Sequence, residues 1–252
     1  MAGLKGVVLK LKQLAGLFSI LRRPEGRAAF RSWKPFSITS FYMARRLKSL
    51  GMPFNTIIDG GANIGQFARS VLEIFPEARV ISFEALPEIA EKLRNNLADC
   101  AGQSRIVQMA LGRREGTIIF NRNFHSHSSS ALPLHDNHRK AFPGAKTISK
   151  LKVPLTTLDR ALKGEVLKGP VLLKLDLQGY ELEALQGASA TLRKVGAVLL
   201  EASFEPMYKG EPSFQKIEDF LKGKGFCFNR ALDFLKDSHG NILQMDALFT
   251  RR

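Results

Sequence analysis

Four carboxylates lie at the ends of apolar stretches of the sequence, where they could bind a ligand or move a proton. These residues are Asp59, Glu84, Asp176 and Glu201. A carboxylate accepts hydrogen bonds from neighbouring hydroxyls and can take the proton of a reacting group. If the apolar stretches are parallel strands, the four side chains lie at one edge of a sheet, where ligands bind in α/β proteins.

A glycine-rich turn follows the first of these carboxylates. Residues 56–67 read TIIDGGANIGQF, which predicts a strand at 56–59, a tight turn and a helix with an apolar stripe. Glycines let backbone N–H groups approach a ligand closely, and a helix N-terminus favours negative groups. The turn therefore predicts a nucleotide or nucleoside pocket. The alternative is an ordinary turn between a strand and a helix.

Two residues bear on the choice of cofactor. Glu84 follows the glycine turn at a spacing used to bind ribose hydroxyls, which leaves a dinucleotide and S-adenosylmethionine as candidates. Asp59 directly precedes the glycines, where it would repel a pyrophosphate but attract a cationic sulfonium ligand that carries an amino group. These residues favour S-adenosylmethionine over NAD.

The rest of the pattern predicts an α/β fold in which strands and helices alternate. We predict strands at 56–59, 79–83, 105–109, 117–124, 148–155, 171–176 and 197–200. Predicted helices lie at 88–97, 181–195 and 214–222. A final hairpin joins 227–235 to 242–250. This order predicts a doubly wound, mostly parallel sheet with a C-terminal antiparallel hairpin.

A polar, irregular segment spans residues 125–146 and contains all but one of the histidines. A loop of this length inside a compact domain is usually functional or mobile. The spacing of its histidines does not match a metal site, and no cysteine joins them. We expect this segment to cover the substrate.

The stretch KLDLQGYELEALQGA at 174–188 resembles the hallmark of the FkbM family of S-adenosylmethionine-dependent methyltransferases. Further matching segments follow the same order: DGGANIG at 59–65, FEALPE at 83–88, ALGRREG at 110–116, TTLD at 156–159, LLEASFEPMYKG at 199–210 and DALF at 246–249. The family pattern has proline where this chain has Ala85, but the ribose-binding acid is kept. The resemblance covers about residues 56–250.

This resemblance implies a class I, Rossmann-like methyltransferase fold and O-methylation of a sugar, a glycan or a hydroxylated natural product. The methionine part of the cofactor would be surrounded by Asp59, Gly60, Gly61, Asn63 and Gln66. The ribose would meet Glu84 and Ala85, and the adenine would be bordered by Gln108, Met109 and Ala110. The methyl group and the acceptor would be faced by Asp176 and Glu201.

Methyl transfer to a hydroxyl requires alignment of the reacting atoms and benefits from a base. Asp176 is our first candidate for the base, and Glu201 and His127 are secondary candidates. In the alternative, Asp176 and Glu201 hold a divalent cation that lowers the pKa of the acceptor hydroxyl. Glu181 either faces the substrate or caps its helix.

The N-terminal region carries most of the basic charge. The chain of 252 residues has a net charge of +15, and residues 1–55 contain eleven Lys and Arg against one acid. We predict a basic helical extension at 1–55 and a methyltransferase domain at 56–252. Residues 4–21 read as an amphipathic helix, which either lies on an anionic membrane surface or packs against the domain or a second subunit of a homodimer.

The composition of the chain also bears on its cellular location and on an alternative function. Two cysteines form no disulfide framework, and no signal peptide precedes the domain, which predicts a cytoplasmic protein, peripheral at a membrane if the helix binds lipid. The basic charge raises a nucleic-acid-binding or nucleic-acid-modifying protein as the alternative. Against it, the charge lies outside the catalytic domain and lacks interleaved aromatic residues for base stacking.

Overall fold

The computed structural model describes residues 21–22, 26–27, 30, 37–124, 126–142, 144–237 and 239–251. The predicted amphipathic helix at 4–21 therefore lies outside the described residues, apart from its last position. Within the described ranges, no helix combines the length and the apolar character needed to cross a bilayer.

The first described helix, α1 (Ile38–Ser49), precedes the sheet. Its N-terminus is capped by the Ser37 side chain, which accepts a hydrogen bond from the backbone N–H of Ser40. Phe41, Ala44 and Leu47 form its buried face and join one core with residues of the sheet and of the helix after the glycine turn. The proposed domain boundary at residue 55 remains a prediction, although this helix shares the core of the sheet.

The main sheet has seven strands in the order β3-β2-β1-β7-β8-β10-β9. Their bounds are β1 Thr56–Gly60, β2 Arg79–Phe83, β3 Ser104–Val107, β7 Val171–Leu175, β8 Ala197–Ser203, β9 Phe226–Lys236 and β10 Ile242–Arg251. The first five are parallel to one another, and β10 is antiparallel to both β8 and β9. The predicted doubly wound sheet with a C-terminal antiparallel hairpin is confirmed.

Strands β1 and β7 are buried along their whole length, as expected for central strands that helices cover on both faces. The helices between the strands are α2 Gln66–Ile74, α3 Pro87–Asn96, α4 Asp136–Ala141, α5 Leu158–Ala161, α6 Glu181–Gln186, α7 Ser189–Leu192 and α8 Phe214–Lys222. The order of the strands reverses between β1 and β7, so the crevice outside their carboxyl ends is the expected ligand site of such a sheet.

A second sheet of three strands lies at that edge. Its strands are β4 Ala110–Leu111, β5 Gly116–Asn123 and β6 Thr147–Thr156, in the order β4-β6-β5. The predicted pairing of β5 with β6 is confirmed and is antiparallel. This sheet has its own small apolar cluster, through which it contributes one wall of the crevice.

The prediction of one helix over 181–195 is wrong, because the chain breaks at Gly187 into α6 and α7. A Cβ at Gly187 would lie 2.1 Å from the carbonyl oxygen of Gly112, so the backbones meet too closely for a continuous helix with side chains here. Asp159 then caps α7 by accepting hydrogen bonds from Ala190 and Thr191. The local sequence gives no sign of either distant partner.

Strand β8 is longer than predicted. It runs to Ser203, so Glu201 lies within the strand instead of following it. The extension is stabilised by antiparallel pairing with β10, in which Glu201 is the direct neighbour of Asp246. Two carboxylates therefore share one end of the sheet.

Candidate active site

The glycine turn after β1 brings the ends of two central strands together. Gly61 has φ +76°, and a Cβ there would lie 1.9 Å from the carbonyl oxygen of Asp176 at the end of β7. Gly65, with φ +92°, precedes α2 and lies against Leu93 of α3. Both positions require glycine, because side chains rarely adopt this left-handed backbone and no space is left for one.

The backbone N–H groups of the turn bond to the protein, which corrects the expectation that they face a ligand. Gly61 and Ala62 both donate to the carbonyl oxygen of Phe83, and Asn63 donates to Glu84 Oε2 at 3.0 Å. The reason is the neighbouring strand β2, whose last carbonyl and following carboxylate need donors. The turn thus fixes the end of β2.

Glu84 is held rigidly at the end of β2. Its Oε1 accepts a hydrogen bond from Leu86 N at 2.9 Å and its Oε2 accepts from Asn63 N, while only 8% of the residue is exposed. Burial raises the pKa of this carboxyl to about 7, although the backbone hydrogen bonds oppose the shift. Each oxygen retains a lone pair, so the carboxylate can accept two further hydrogen bonds, as a ribose diol would offer.

The first cavity opens beside Glu84 and is partly open to solvent. It brings together eight of the residues predicted for the site: Gly61, Asn63, Glu84, Ala85, Met109, Ala110, His127 and Asp176. Phe83, Leu111 and Phe120 add apolar surface to its wall. The cavity therefore has a polar end at the glycine turn and an apolar region at the small sheet.

The other predicted cofactor residues do not line this cavity. Asp59 is fully buried and forms an ion pair with Lys174, whose Nζ lies 3.0 Å from Asp59 Oδ1. Gly60, Gln66 and Gln108 also lie outside the lining, and Gln108 accepts a hydrogen bond from Arg94. Direct contact of these four with the cofactor remains a prediction.

Lys174 is a site residue that the sequence reasoning missed. It points from β7 between two carboxylates, with its Nζ 3.0 Å from Asp59 and 3.6 Å from Asp176. Burial would lower its pKa, but the two carboxylates raise it, so the ammonium stays charged. Its position within a buried apolar strand was the available signal, since a buried lysine needs a partner.

Gln178 joins three further groups of the site and was also missed. Its backbone has φ +57°, and its Nε2 donates to Asp176 Oδ1 at 2.5 Å and to Glu201 Oε2 at 3.0 Å. Its Oε1 accepts a hydrogen bond from the Tyr208 hydroxyl at 2.5 Å. The left-handed backbone of a non-glycine residue is stabilised here by these contacts, which commonly marks a functional position.

Glu181 maintains the loop that carries Gln178. Its Oε1 accepts hydrogen bonds from Leu177 N at 2.7 Å and Gly179 N at 3.3 Å, and 2% of the residue is exposed. Burial raises the pKa of this carboxyl to about 8. Glu181 lines neither described cavity, and its carboxylate binds the loop before α6 instead of capping that helix, so neither alternative is observed.

The second cavity lies beyond Asp176, towards β8 and β10. It shares His127, Asp176 and Gln178 with the first cavity, so the two meet at these side chains. Its other polar lining residues are Thr39, Ser128, His138, Glu201, Asp233, Gln244 and Asp246. All three catalytic candidates therefore line this cavity, and two of them also line the first.

No metal site stands out in the described part of the chain. Its His, Cys, Asp and Glu residues contain no group of three or more that is arranged to hold an ion. The Gln178 amide donates to both Asp176 and Glu201, and thus fills the position that a cation bridging these carboxylates would take. The metal alternative remains a prediction.

The methyltransferase FkbM domain matches residues 59–228, which include the glycine turn, Glu84 and the loop of Gln178. The chain belongs to this family. It is similar to the 2-O-methyltransferase NoeI of Sinorhizobium fredii, with 26% identity over 83% of this chain and 86% of that protein. It is also similar to the hexuronic acid methyltransferase AglP of Haloferax volcanii, with 28% identity over 57% of this chain and 54% of that protein.

This FkbM protein is a methyltransferase that depends on S-adenosylmethionine. The first cavity fits that cofactor in its chemistry. Glu84 offers two acceptor positions for the ribose hydroxyls, and Phe83, Met109 and Phe120 offer apolar surface for an adenine ring. The assignment of single residues to parts of the cofactor remains a prediction.

Proposed function

We propose that this FkbM methyltransferase methylates a hydroxyl group of a sugar or glycan, or of a similarly hydroxylated natural product. The observation that carries the proposal is the junction of the two cavities at Asp176, His127 and Gln178. A cofactor in the first cavity and an acceptor in the second would approach each other at these side chains. S-adenosylmethionine supplies an electrophilic methyl group, so the protein must hold an acceptor oxygen and take its proton.

The lining of the second cavity supports a polyhydroxylated acceptor. Gln178 and Gln244 supply amides, and the carboxylates beside them supply acceptors for several hydroxyl groups. Phe142 and Phe234, which are both partly exposed, supply apolar surface for the C–H face of a ring. The names of NoeI and AglP describe a 2-O-methyltransferase and a hexuronic acid methyltransferase, which supports a hydroxylated or sugar acceptor without deciding its charge.

Asp176 is the preferred base. It lines both cavities, where it can reach the acceptor and the cofactor, and Lys174 Nζ lies 3.6 Å from its Oδ2. Burial, together with the charges of Asp176 and Asp246, raises the pKa of Glu201 well above its ordinary value. Glu201 lines only the second cavity, so it remains a secondary candidate. The new O–C bond forms as the S–C bond breaks, and the hydroxyl proton passes to Asp176.

The test is methyl transfer from labelled S-adenosylmethionine to sugar, glycan and lipid-linked glycan fractions, with RNA as the comparison for the nucleic-acid alternative. Asp176→Asn should retain the affinity for S-adenosylhomocysteine but lose about 100- to 10,000-fold in turnover, the usual contribution of a general base. Asp219→Asn, at an exposed acid of α8, is the matched control. Normal turnover by Asp176→Asn, or label in RNA alone, would contradict the proposal.

The acceptor could also be presented at a membrane. Residues 1–23 contain an apolar stripe that includes Leu4, Leu11 and Phe18, with basic residues on the other side. We therefore retain peripheral attachment to an anionic membrane surface as part of the proposal, with packing onto the domain or a second subunit as the alternative.

A further inference from the structure

The second cavity has the opposite charge to the molecule that contains it. The chain carries a net charge of +15. The described residues that line this cavity nevertheless include four acids and no Lys or Arg: Asp176, Glu201, Asp233 and Asp246. An acceptor that enters this cavity therefore meets a negative wall.

Two cations form ion pairs with this wall, and they pair with only two of its acids. Lys174 Nζ lies 3.6 Å from Asp176, but it also pairs with Asp59 at 3.0 Å. Arg46 Nη1 lies 3.6 Å from Asp233. Within the described residues, Glu201 and Asp246 form no ion pair, although they are direct neighbours across β8 and β10.

His138 of the lining adds little positive charge near this wall. His138 is 4% exposed, and burial lowers its pKa, assisted by the charges of His127 and Arg139, so the imidazole is neutral. Its Nδ1 has no hydrogen-bond partner among the described residues, which leaves a neutral acceptor or donor at the cavity wall. Such a group suits a hydroxyl and gives no counterion to an anion.

We propose that the second cavity accepts sugar units without negative charge and excludes units that carry a carboxylate or a phosphate. The inference rests on the proposed function and names the acceptor class more narrowly. A carboxylate that entered this cavity would lose its hydration and meet four acids, with no Lys or Arg in the described lining to pair with it, which is an unfavourable arrangement.

The pKa of Asp246 agrees with this view. Burial raises the pKa of Asp246 to about 7, and Asp176 and Asp233 raise it further than Lys174 and Arg46 lower it. The surroundings of Asp246 therefore disfavour a further negative charge. An uncharged acceptor leaves that balance unchanged, whereas an anionic one would worsen it.

The experiment compares acceptors that differ only in charge. The full chain is given labelled S-adenosylmethionine and methyl glycosides of glucuronic, galacturonic and mannuronic acid, each beside its primary amide, at pH 8. For the sugar that is methylated best, we expect kcat/KM to be at least about tenfold higher for the amide than for the corresponding uronic acid. Asp246→Asn should reduce that preference several-fold. Glu77→Gln, at an exposed acid before β2 on the opposite edge of the sheet, should leave it unchanged.

The outcomes separate the two proposals. Uronic acids that are methylated as well as their amides would overturn the charge rule and leave O-methylation of sugars intact. A preference unchanged in both Asp246→Asn and the second variant Glu201→Gln, with both shown to be folded by circular dichroism, would also overturn it. If the protein binds S-adenosylhomocysteine but methylates none of the sugars, both the proposed function and this inference are refuted.

Discussion

Replacing Glu84 by glutamine should remove a pH dependence of stability that burial of this carboxyl creates. Burial raises the pKa of Glu84 from 4.5 to about 7, while N–H groups of Leu86 and Asn63 act in the opposite direction. The difference is equivalent to about 3 kcal/mol in favour of the protonated form in the folded state. This stabilisation is complete below pH 4.5 and is lost as the pH rises through 7.

The measurement is urea unfolding at pH 5 and pH 8 for the wild type, for Glu84→Gln and for Glu91→Gln, an exposed acid of α3. From pH 5 to pH 8, the free energy of unfolding of the wild type should fall by roughly 2 to 3 kcal/mol more than that of Glu84→Gln. Glu91→Gln should follow the wild type. Parallel pH profiles for wild type and Glu84→Gln would show that Glu84 ionises as easily when folded as when unfolded.

The same proton should control cofactor affinity. Ribose hydroxyls donate hydrogen bonds to the ionised carboxylate, so affinity for S-adenosylhomocysteine should rise about tenfold between pH 6 and pH 8. The Glu84→Gln variant should lose this slope, and Glu84→Ala should bind about ten- to a hundredfold more weakly. Calorimetry would refute the reasoning if the slope persisted in Glu84→Gln, or if Glu84→Ala bound with unchanged affinity.

Three other expectations concern separate parts of the chain. Tyr208→Phe removes the donor to Gln178 Oε1, and should cost about 1–3 kcal/mol in urea unfolding and reduce kcat more than cofactor affinity; an unchanged kcat would separate this hydrogen bond from catalysis. Gly61→Ala puts a Cβ against the Asp176 carbonyl, and should give little soluble folded protein, whereas a wild-type melting temperature would contradict the close approach. Full-length protein should sediment with anionic but not neutral vesicles at low salt and lose this on deletion of residues 1–23; retained binding would refute the membrane proposal.

The sequence was sufficient to predict those features of the fold and site that depend on residues close together in the chain. The glycine turn predicted the end of β1, and Glu84 was placed correctly because an acid after an apolar strand needs only its own neighbours to be recognised. The same turn contributes Gly61 and Asn63 to the lining of the first cavity. The strand order of the sheet agrees with the alternation of strands and helices along the chain.

The features that could not be predicted from the sequence depend on contacts between residues far apart in the chain. Gln178 is held by Tyr208 and Glu201, which follow it by 30 and 23 residues, and no spacing rule connects them. Lys174 reads as an interruption of an apolar strand until its pairing with Asp59 is known. Likewise, the extension of β8 depends on β10, which the chain reaches only near its end.

The shared wall formed by Asp176, His127 and Gln178 has a thermodynamic consequence for the order of events. The Gln178 amide contacts two carboxylates that line the acceptor cavity, and Gln178 also lines the cofactor cavity. A cofactor that shifts the Gln178 side chain must therefore change the affinity for the acceptor. Linkage makes this effect mutual, so the acceptor changes cofactor affinity by the same factor. We therefore expect the two substrates to bind cooperatively, with the side chain of Gln178 as the element that each of them biases.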